Sequence, residues 1–211
     1  MKMGPPKKKT DVIADVLLFL ALIGVALIYL PLNRARIPLH SLRTPWDDAI
    51  PFVSIFAVPY LSLYLLTGLT LLVAVLGKRR KYRDTVVTMT SVLLISYVVF
   101  WQWQTIVVRP DIVSSDLFSR LVAWVYSHDA PYNAFPSLHV SLSTTCALTW
   151  LRSQWPSRPL FVGWSLLVAA STVLIKQHYL ADVIGGALLA AVCFAAVSAL
   201  SRFLHEPSSP D

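Results

Sequence analysis

Two stretches of sequence decide how this chain folds: Ala134-Phe135-Pro136-Ser137-Leu138-His139 and Lys176-Gln177-His178-Tyr179-Leu180-Ala181-Asp182-Val183-Ile184-Gly185-Gly186. Each stretch stands at the edge of an otherwise apolar segment and carries ionisable side chains, His139 in the first and His178 with Asp182 in the second. Ionisable groups at such places in a membrane chain are costly, so function is the default hypothesis for them. We therefore interpret the two histidines and the aspartate as a catalytic set.

The rest of the chain is far more apolar than a soluble domain. Of its 211 residues, 56% are hydrophobic and 14% are charged, whereas soluble domains carry about 25% charged residues. Several uninterrupted apolar stretches are long enough to cross a hydrocarbon core of about 30 Å as helices. The composition predicts an all-α, polytopic membrane protein. Cys146 and Cys193 fall within apolar stretches, where neither a disulfide nor a zinc site is supported.

The hydropathy pattern predicts six transmembrane helices in one bundle, at residues 11–31, 51–76, 85–108, 136–151, 159–176 and 182–203. The fourth and fifth are the shortest, and each borders one of the two stretches, whose polar residues weaken the hydropathy signal. The chain then divides into a basic cytoplasmic N-terminus at residues 1–10, a membrane domain at 11–203 and a cytoplasmic tail at 204–211.

The net charge of +7 comes from Lys and Arg residues in short clusters between the apolar segments. Such clusters act on membrane topology, so a nucleic-acid partner is excluded. The larger clusters, at residues 2–9, 78–83 and 152–158, lie on one side of the predicted bundle, and the positive-inside rule places both termini in the cytoplasm. The two stretches therefore face the extracytoplasmic side, of the plasma or inner membrane if the organism is bacterial.

The outer loops hold further polar and aromatic residues. Apolar residues recur at helical spacing across 117–125 and predict a short amphipathic helix. Residues 33–48 either lie along the membrane interface or form a plain loop, and both alternatives stay open. His128 and Asp129 either contact a headgroup or form a solvated loop pair, and the solvated pair is favoured. We interpret Tyr179 as an interfacial anchor or a donor to a headgroup.

His178 and Asp182 have the spacing of a catalytic pair. They are four residues apart, so both lie on one face if a helix begins near them. The carboxylate can then hold one ring nitrogen, fix the tautomer and stabilise the positive charge that develops on the ring. The other nitrogen stays free to attack, and we predict His178 as the nucleophile.

Three further residues on the same side complete the predicted chemistry. His139 is the predicted general acid, because an unperturbed imidazole titrates near neutrality and can protonate a departing alkoxide. Ser137 lies just before it and, with the backbone amides of the helix start, can donate to anionic oxygens. Arg109, which precedes Pro110, can bind such an oxygen with its planar guanidinium.

These motifs resemble, in order and spacing, those of the type 2 phosphatidic acid phosphatase superfamily, over about residues 102–186. The family's first motif is Lys, six residues, Arg-Pro, and this chain has Gln102, six residues, Arg109-Pro110. The second is Pro-Ser-Gly-His, matched by Pro136-Ser137-Leu138-His139. The third is Ser-Arg, five residues, His, three residues, Asp, matched by Ser171-Thr172, His178 and Asp182.

The resemblance implies a lipid phosphatase or phosphotransferase that requires no metal and no cofactor. It implies that His178 forms a phosphohistidine while Asp182 orients the ring. It further implies that His139 protonates the leaving group, and that Arg109 and Ser137 bind the phosphate.

Two departures from the family pattern bear on the substrate. Gln102 and Thr172 stand where the family has cations around the phosphate. A phosphomonoester carries a charge of about −1.5 to −2 near pH 7, whereas a phosphodiester carries one negative charge and needs fewer cations. Lys176 either replaces a lost cation or extends to the interface, and both it and Gln102 are predicted phosphate-binding residues. The motifs also resemble the branch with inositol phosphorylceramide synthase and sphingomyelin synthase, which move a phospho-headgroup between lipids.

The expected function is that of an integral-membrane lipid phosphotransferase or phosphatase at the outer leaflet, with phospho-headgroup transfer favoured. The expected partners are a phospholipid and, for transfer, a lipid alcohol acceptor. One alternative is hydrolysis of a lipid phosphomonoester or pyrophosphate. The other is a catalytically silent lipid-binding membrane protein.

Overall fold

The computed structural model describes residues 9–77, 79–114 and 116–204, and its regular elements there are helices. The α-helices in these ranges are α1 (Lys9–Leu27), α2 (Tyr29–Leu32), α3 (Pro45–Ala49), α4 (Ala57–Leu61), α5 (Leu63–Leu76), α6 (Arg79–Gln102), α7 (Leu117–His128), α8 (Leu138–Leu151), α9 (Arg158–Leu174) and α10 (Leu180–Phe203). A short 3₁₀ helix, Ser54–Phe56, precedes α4. The predicted N-terminus at residues 1–10 and the tail at 204–211 lie almost entirely outside the described residues.

Four helical stretches are long and apolar enough to cross a membrane, namely Asp11–Leu32, Ser54–Leu76, Arg79–Gln102 and Leu180–Phe203. They correspond to the first, second, third and sixth predicted spans. Helices α8 and α9 occupy the fourth and fifth, but they have 14 and 17 residues, fewer than the roughly 20 that a span typically needs. The all-α membrane architecture is therefore supported, and the predicted number of six spans is not confirmed.

The third span starts and ends earlier than the sequence predicted. Helix α6 covers Arg79–Gln102, whereas hydropathy placed this span at residues 85–108. Residues 103–108 are extended, and two of them form isolated bridges with His40 and Tyr132. Gln104 and Thr105 are buried polar residues that interrupt the apolar residues of this segment. The backbone amides of Ile106 and Val107 donate to the carbonyls of His40 and Pro131 in neighbouring loops, so the segment leaves the bundle as an extended strap.

Helix α7 confirms the short amphipathic helix predicted across 117–125. Asp116 is its N-cap, and the hydroxyls of Ser119 and Ser114 donate to the carboxylate, which lowers the pKa of Asp116 to about 2. Val122 and Val125 are buried against α4. The apolar face of α7 therefore packs on the protein, as its sequence period indicates.

Helix α8 is surrounded by α5, α6, α9 and α10. Its polar side chains bond within the bundle. The Thr149 hydroxyl lies 3.0 Å from that of Thr85, and the Trp150 indole donates to the Thr70 hydroxyl at 2.9 Å. Polar groups that face neighbouring helices weaken the hydropathy signal without meeting lipid, which accounts for the weak fourth span.

Ion pairs join α1 to the first turns of α6, far from Gln102 at the other end of that helix. Asp15 is 6% exposed, and its two carboxylate oxygens lie 2.6 Å from Arg79 Nε and 2.7 Å from Arg83 Nε. Asp11 adds a contact of 2.8 Å to Arg79. A buried carboxylate is destabilising unless it is paired, so α1 packs at this place only with the two arginines opposite it.

Replacing Asp15 by Asn should lower the free energy of unfolding by about 1–3 kcal/mol, because two arginines lose a mostly buried partner. The Arg83 side chain is 36% exposed, and water offsets part of the loss. The matched control is Asp84→Asn, which removes a 3.9 Å pair with Arg80 on the helix surface and should cost less than about 0.5 kcal/mol. Thermal unfolding in detergent measures both variants, and equal shifts would contradict the role assigned to Asp15.

Candidate active site

The first turns of α8 and α10 lie against each other and bring the two stretches together. The backbone amide of Ser137 donates to the carbonyl of Asp182 at 3.1 Å. The Ser141 hydroxyl lies 2.8 Å from the Ser137 carbonyl and 2.9 Å from that of Gly186. A Cβ at Gly186 would lie 2.6 Å from the Ser137 carbonyl oxygen. Glycine is therefore required for the two backbones to approach this closely.

His178 lies in the connection between α9 and α10, one turn before Asp182. Its Nδ1 is 3.5 Å from Oδ2 of Asp182 and makes no hydrogen bond among the described residues, although catalytic hydrogen bonds are often long in structures without substrate. Asp182 is fully buried, and Oδ2 also accepts from the backbone amide of Tyr179 at 2.8 Å. The four-residue spacing thus brings the two side chains together and leaves Nε2 as the ring nitrogen that does not face the carboxylate.

His139 lies in the first turn of α8, with its ring centroid 6.4 Å from that of His178. Tyr60 of α4 stacks on the His139 ring at a centroid distance of 4.0 Å and an interplanar angle of 16°. This stacking holds the ring plane. Nε2 of His139 is buried and has no hydrogen-bond partner among the described residues, so it can bond to a group that enters between the two rings.

Arg109 lies in the segment between α6 and α7 and is held on one edge of its guanidinium. Nη1 donates to the carbonyl of Asp129 at 2.7 Å, Nη2 donates to Oε1 of Gln177, and the guanidinium lies 4.6 Å from the Tyr126 ring centroid. Burial lowers the pKa of Arg109 and the nearby Asp129 carboxylate opposes that shift, but a guanidinium stays cationic. Its Nε is buried without a partner in the described part of the chain.

These side chains line one cavity with a volume of ≈ 270 Å³. Its polar lining includes Arg109, His139, Gln177 and His178. Much of the remaining lining is apolar or aromatic, contributed by α1, α2, α5, α6 and α8 through residues such as Ala26, Leu30, Leu63, Leu93, Tyr97 and Leu142. A few convergent polar groups in an otherwise apolar cavity are typical of a site for an amphipathic ligand.

A sequence profile of the PAP2 superfamily, the type 2 phosphatidic acid phosphatases, matches residues 38–196. The chain belongs to this superfamily. No curated protein sequence matches the chain. PAP2 superfamily members are in general metal-independent phosphatases or phosphotransferases, and with the long apolar helices the match indicates an integral membrane protein. The narrower branch suggested by the motifs stays a prediction.

Three residues that the PAP2 pattern or its departures suggested as phosphate ligands do not line the cavity. Gln102 is exposed at the end of α6, because the helix ends there and the chain continues as the extended strap. Ser137 is fully buried, and its hydroxyl oxygen accepts from the backbone amide of Val140 as the N-cap of α8. Lys176 is directed to the backbone of the α3 region. Helix capping thus engages Ser137 and backbone contacts engage Lys176, whereas Gln102 lies outside the cavity.

Lys176 attaches residues 33–50 to the third PAP2 motif. Its ammonium donates to the carbonyl of Asp47 at 2.7 Å and to that of Ile50. The Asp47 carboxylate in turn accepts from the backbone amide of Leu180 at 2.7 Å, at the start of α10. Burial raises the pKa of Asp47, but hydrogen bonds from Leu180 and from the N-cap of α3 outweigh it and lower the pKa overall. Residues 33–50 therefore hold the third motif in place. Neither alternative from the sequence, an interfacial segment or a plain loop, included this role.

Asp129 lines the cavity. The predicted solvated pair with His128 is wrong, because the Asp129 carboxylate is partly buried and accepts from the Tyr29 hydroxyl at 2.8 Å and from the Asn33 amide at 2.7 Å. These partners lie 100 and 96 residues earlier in the chain. No local spacing could have revealed them.

Tyr179 and Gln177 flank His178 and have roles that sequence reasoning missed. Tyr179 is 5% exposed, and its hydroxyl accepts from the backbone amide of Val108 at 2.9 Å. It ties the strap before Arg109 to the third motif, and the interfacial position predicted for it is wrong. Gln177 is 4% exposed and holds the guanidinium. The one available signal for either residue was its position next to the histidine.

Replacing Gly186 by Ala should separate the first turns of α8 and α10, because the added methyl would lie 2.6 Å from the Ser137 carbonyl oxygen. We expect a loss of about 1–3 kcal/mol in the free energy of unfolding and a loss of any phosphate-ester turnover. The control is Gly163→Ala in α9, where a Cβ meets nothing within 4 Å and alanine favours the helix. Thermal unfolding and product analysis measure both, and a Gly186→Ala protein with wild-type stability and turnover would contradict this account.

Proposed function

We propose that this protein is a metal-independent membrane enzyme that takes a phosphoryl or phospho-headgroup from a lipid onto His178 and passes it to an acceptor. The observation that carries the proposal is that Arg109, His139 and His178 line one cavity whose other lining is largely apolar. Membership of the PAP2 superfamily supports this class of chemistry. Transfer to a lipid alcohol is the favoured reaction, and hydrolysis is the alternative.

In the first half of the proposed reaction, Nε2 of His178 attacks the phosphorus of the bound ester. The bond from phosphorus to the leaving oxygen breaks as the nitrogen–phosphorus bond forms, and His139 gives that oxygen a proton. Asp182, 3.5 Å from Nδ1, stabilises the positive charge that develops on the ring. Arg109 binds oxygens that carry the phosphoryl charge.

In the second half, an acceptor hydroxyl loses its proton to His139 and attacks the phosphorus. The nitrogen–phosphorus bond breaks, and His178 returns to its free form. A lipid alcohol as acceptor yields a new lipid that carries the headgroup, and water yields the hydrolysed phosphate. Both outcomes use the same residues and differ only in the acceptor.

The charges around the cavity favour a phosphodiester donor. Within the described part of the chain, Arg109 is the one Lys or Arg that lines the cavity, and Asp129 lines it as well. Thr172, in place of the family Arg, is fully buried and donates to the carbonyl of Ala169. A phosphomonoester carries about −1.5 to −2 near pH 7, which one guanidinium balances poorly. The single charge of a diester matches that guanidinium, and this supports headgroup transfer.

The proposal includes six membrane spans, of which α8 and α9 are the fourth and fifth. Both termini then lie in the cytoplasm, and the cavity lies at the outer leaflet. A short helix that is enclosed by longer ones need not meet lipid along its whole length, which supports counting α8. Leu30 and Tyr64 line the cavity and are 68% and 73% exposed. The cavity therefore borders the outward faces of α2 and α5, as entry of acyl chains from the bilayer requires.

Replacing His178 by Ala should abolish both turnover and the phosphorus adduct, because the attacking nitrogen is lost. Replacing His139 by Ala should slow turnover by about 10²–10⁴-fold, the usual contribution of general acid–base catalysis. The control is His40→Ala, since His40 stacks on Trp103 and does not line the cavity, and it should retain wild-type turnover. Intact-mass spectrometry of quenched protein detects the adduct, and full turnover in either active-site variant would refute the mechanism.

The acceptor is identified by giving the purified protein a phosphomonoester lipid and a phosphodiester lipid, each with and without a lipid alcohol, and analysing the products by mass spectrometry. A new headgroup-bearing lipid that forms from the diester only with the alcohol would establish transfer. Free phosphate from the monoester alone would make the protein a phosphatase. Turnover of neither donor would leave the lipid-binding alternative.

A further inference from the structure

The cavity contains buried hydrogen-bond donors that have no acceptor among the described residues. Two of them are Nε2 of Gln177 and Nε of Arg109, on side chains that line the cavity beside His178. A buried donor without a partner is destabilising, and few such groups occur in folded proteins without a reason. A ligand that brings acceptor oxygens into the cavity supplies that reason.

Arg109 sets the orientation of the Gln177 amide. Its Nη2 donates to the amide oxygen Oε1, and because a guanidinium has donors only, the amide must face it with oxygen. The amide nitrogen is therefore the end that stays unpaired. The backbone amide of Gln177 donates to the carbonyl of Thr172 at 2.9 Å, so both ends of the residue are held in place.

We propose that Gln177 is a phosphate-binding and specificity-determining residue, whose Nε2 donates to a phosphoryl oxygen while its Oε1 holds Arg109 for a neighbouring oxygen. This inference rests on the proposed function and adds a substrate-binding group to it. Because Gln177 directly precedes His178, the donor is fixed relative to the nucleophile. The side chain can donate as it stands, and it stays neutral when the ester binds.

The neutral amide determines how much charge the site accepts. A lysine or arginine in this place would balance a second negative charge on the ligand, whereas an amide donates a hydrogen bond and adds no charge. With Arg109 as the cation and the Asp129 carboxylate in the same lining, the amide suits the oxygens of a singly charged phosphodiester. Gln177 therefore selects a phosphodiester over a phosphomonoester.

Binding of orthovanadate tests this role without turnover, because the anion resembles a phosphoryl group in transfer and such analogues bind tightly. The detergent-solubilised protein is titrated with orthovanadate, and its binding is measured by calorimetry and by the rise in unfolding temperature. Gln177→Met keeps the side-chain length and removes both donor and acceptor. It should weaken binding by at least about tenfold, as the loss of a hydrogen bond to a charged group predicts.

Gln177→Lys distinguishes the two proposed roles of Gln177, which are to donate a hydrogen bond to the ligand and to hold Arg109. A lysine donates to the anion but cannot accept from the guanidinium, so this variant should retain orthovanadate binding and should turn over the monoester lipid faster, relative to the diester, than the wild type does. The matched control is Gln154→Met, since Gln154 is exposed in the connection between α8 and α9. It should bind orthovanadate as the wild type does.

Each other outcome overturns a defined part of the proposal. Wild-type binding by Gln177→Met refutes the role of Gln177, and the proposed function still stands if His178→Ala abolishes turnover. Equal losses in the Met and Lys variants mean that Gln177 only positions Arg109, which refutes donation to the ligand. A wild-type protein that neither binds orthovanadate nor turns over a phosphate ester refutes the proposed function and this inference together.

Discussion

The close contact between Ser137 and Gly186 is the constraint on which the rest of the site depends. Because α10 has no side chain at this point, the first turn of α8 lies against its backbone, and the Ser137 amide reaches the carbonyl of Asp182 at 3.1 Å. The starts of two helices are thereby held at one end of the bundle. Each start brings one side chain to the candidate site, α8 His139 and α10 the carboxylate of Asp182 beside His178.

A second constraint is that polar groups inside an apolar bundle need partners. Helix α8 meets it locally, since the hydroxyls of Ser143 and Thr145 donate to carbonyls three and four residues earlier. Several buried nitrogens without a partner among the described residues instead gather at the cavity, on Arg109, His139 and Gln177. The polar groups with partners hold the helices together, and the cavity groups without partners can bond to a ligand.

Local spacing carried most of what the sequence could predict. The four-residue interval of His178 and Asp182 brings their side chains together, the helical recurrence gave α7, and the apolar runs located the long helices. Spacing could not show that α6 ends at Gln102, because the extended conformation of residues 103–108 depends on loops distant in sequence. The surroundings of Asp129 could not be predicted for the same reason, because α2 and the end of the bundle form them.

The family pattern was informative where it names residues that meet in one cavity, and it assigns no role to the residues between its named positions. Lys176 was predicted to replace a lost cation or to extend to the interface, yet its ammonium is bonded to two backbone carbonyls near α3. Gln177, one position later, is also an unspecified position of the third motif, and it holds the guanidinium. Which of two adjacent side chains faces the cavity depends on the turn between α9 and α10, where Lys176 has a positive φ of 53°.

The hydrogen bond from Leu180 to the Asp47 carboxylate joins groups 133 residues apart. During synthesis on the ribosome, the segment with Asp47 emerges long before the last helix, so the carboxylate stays hydrated until α10 has been inserted. The connection that carries His178 can be held in place only after that event. The candidate site therefore cannot be complete before α10 has been made.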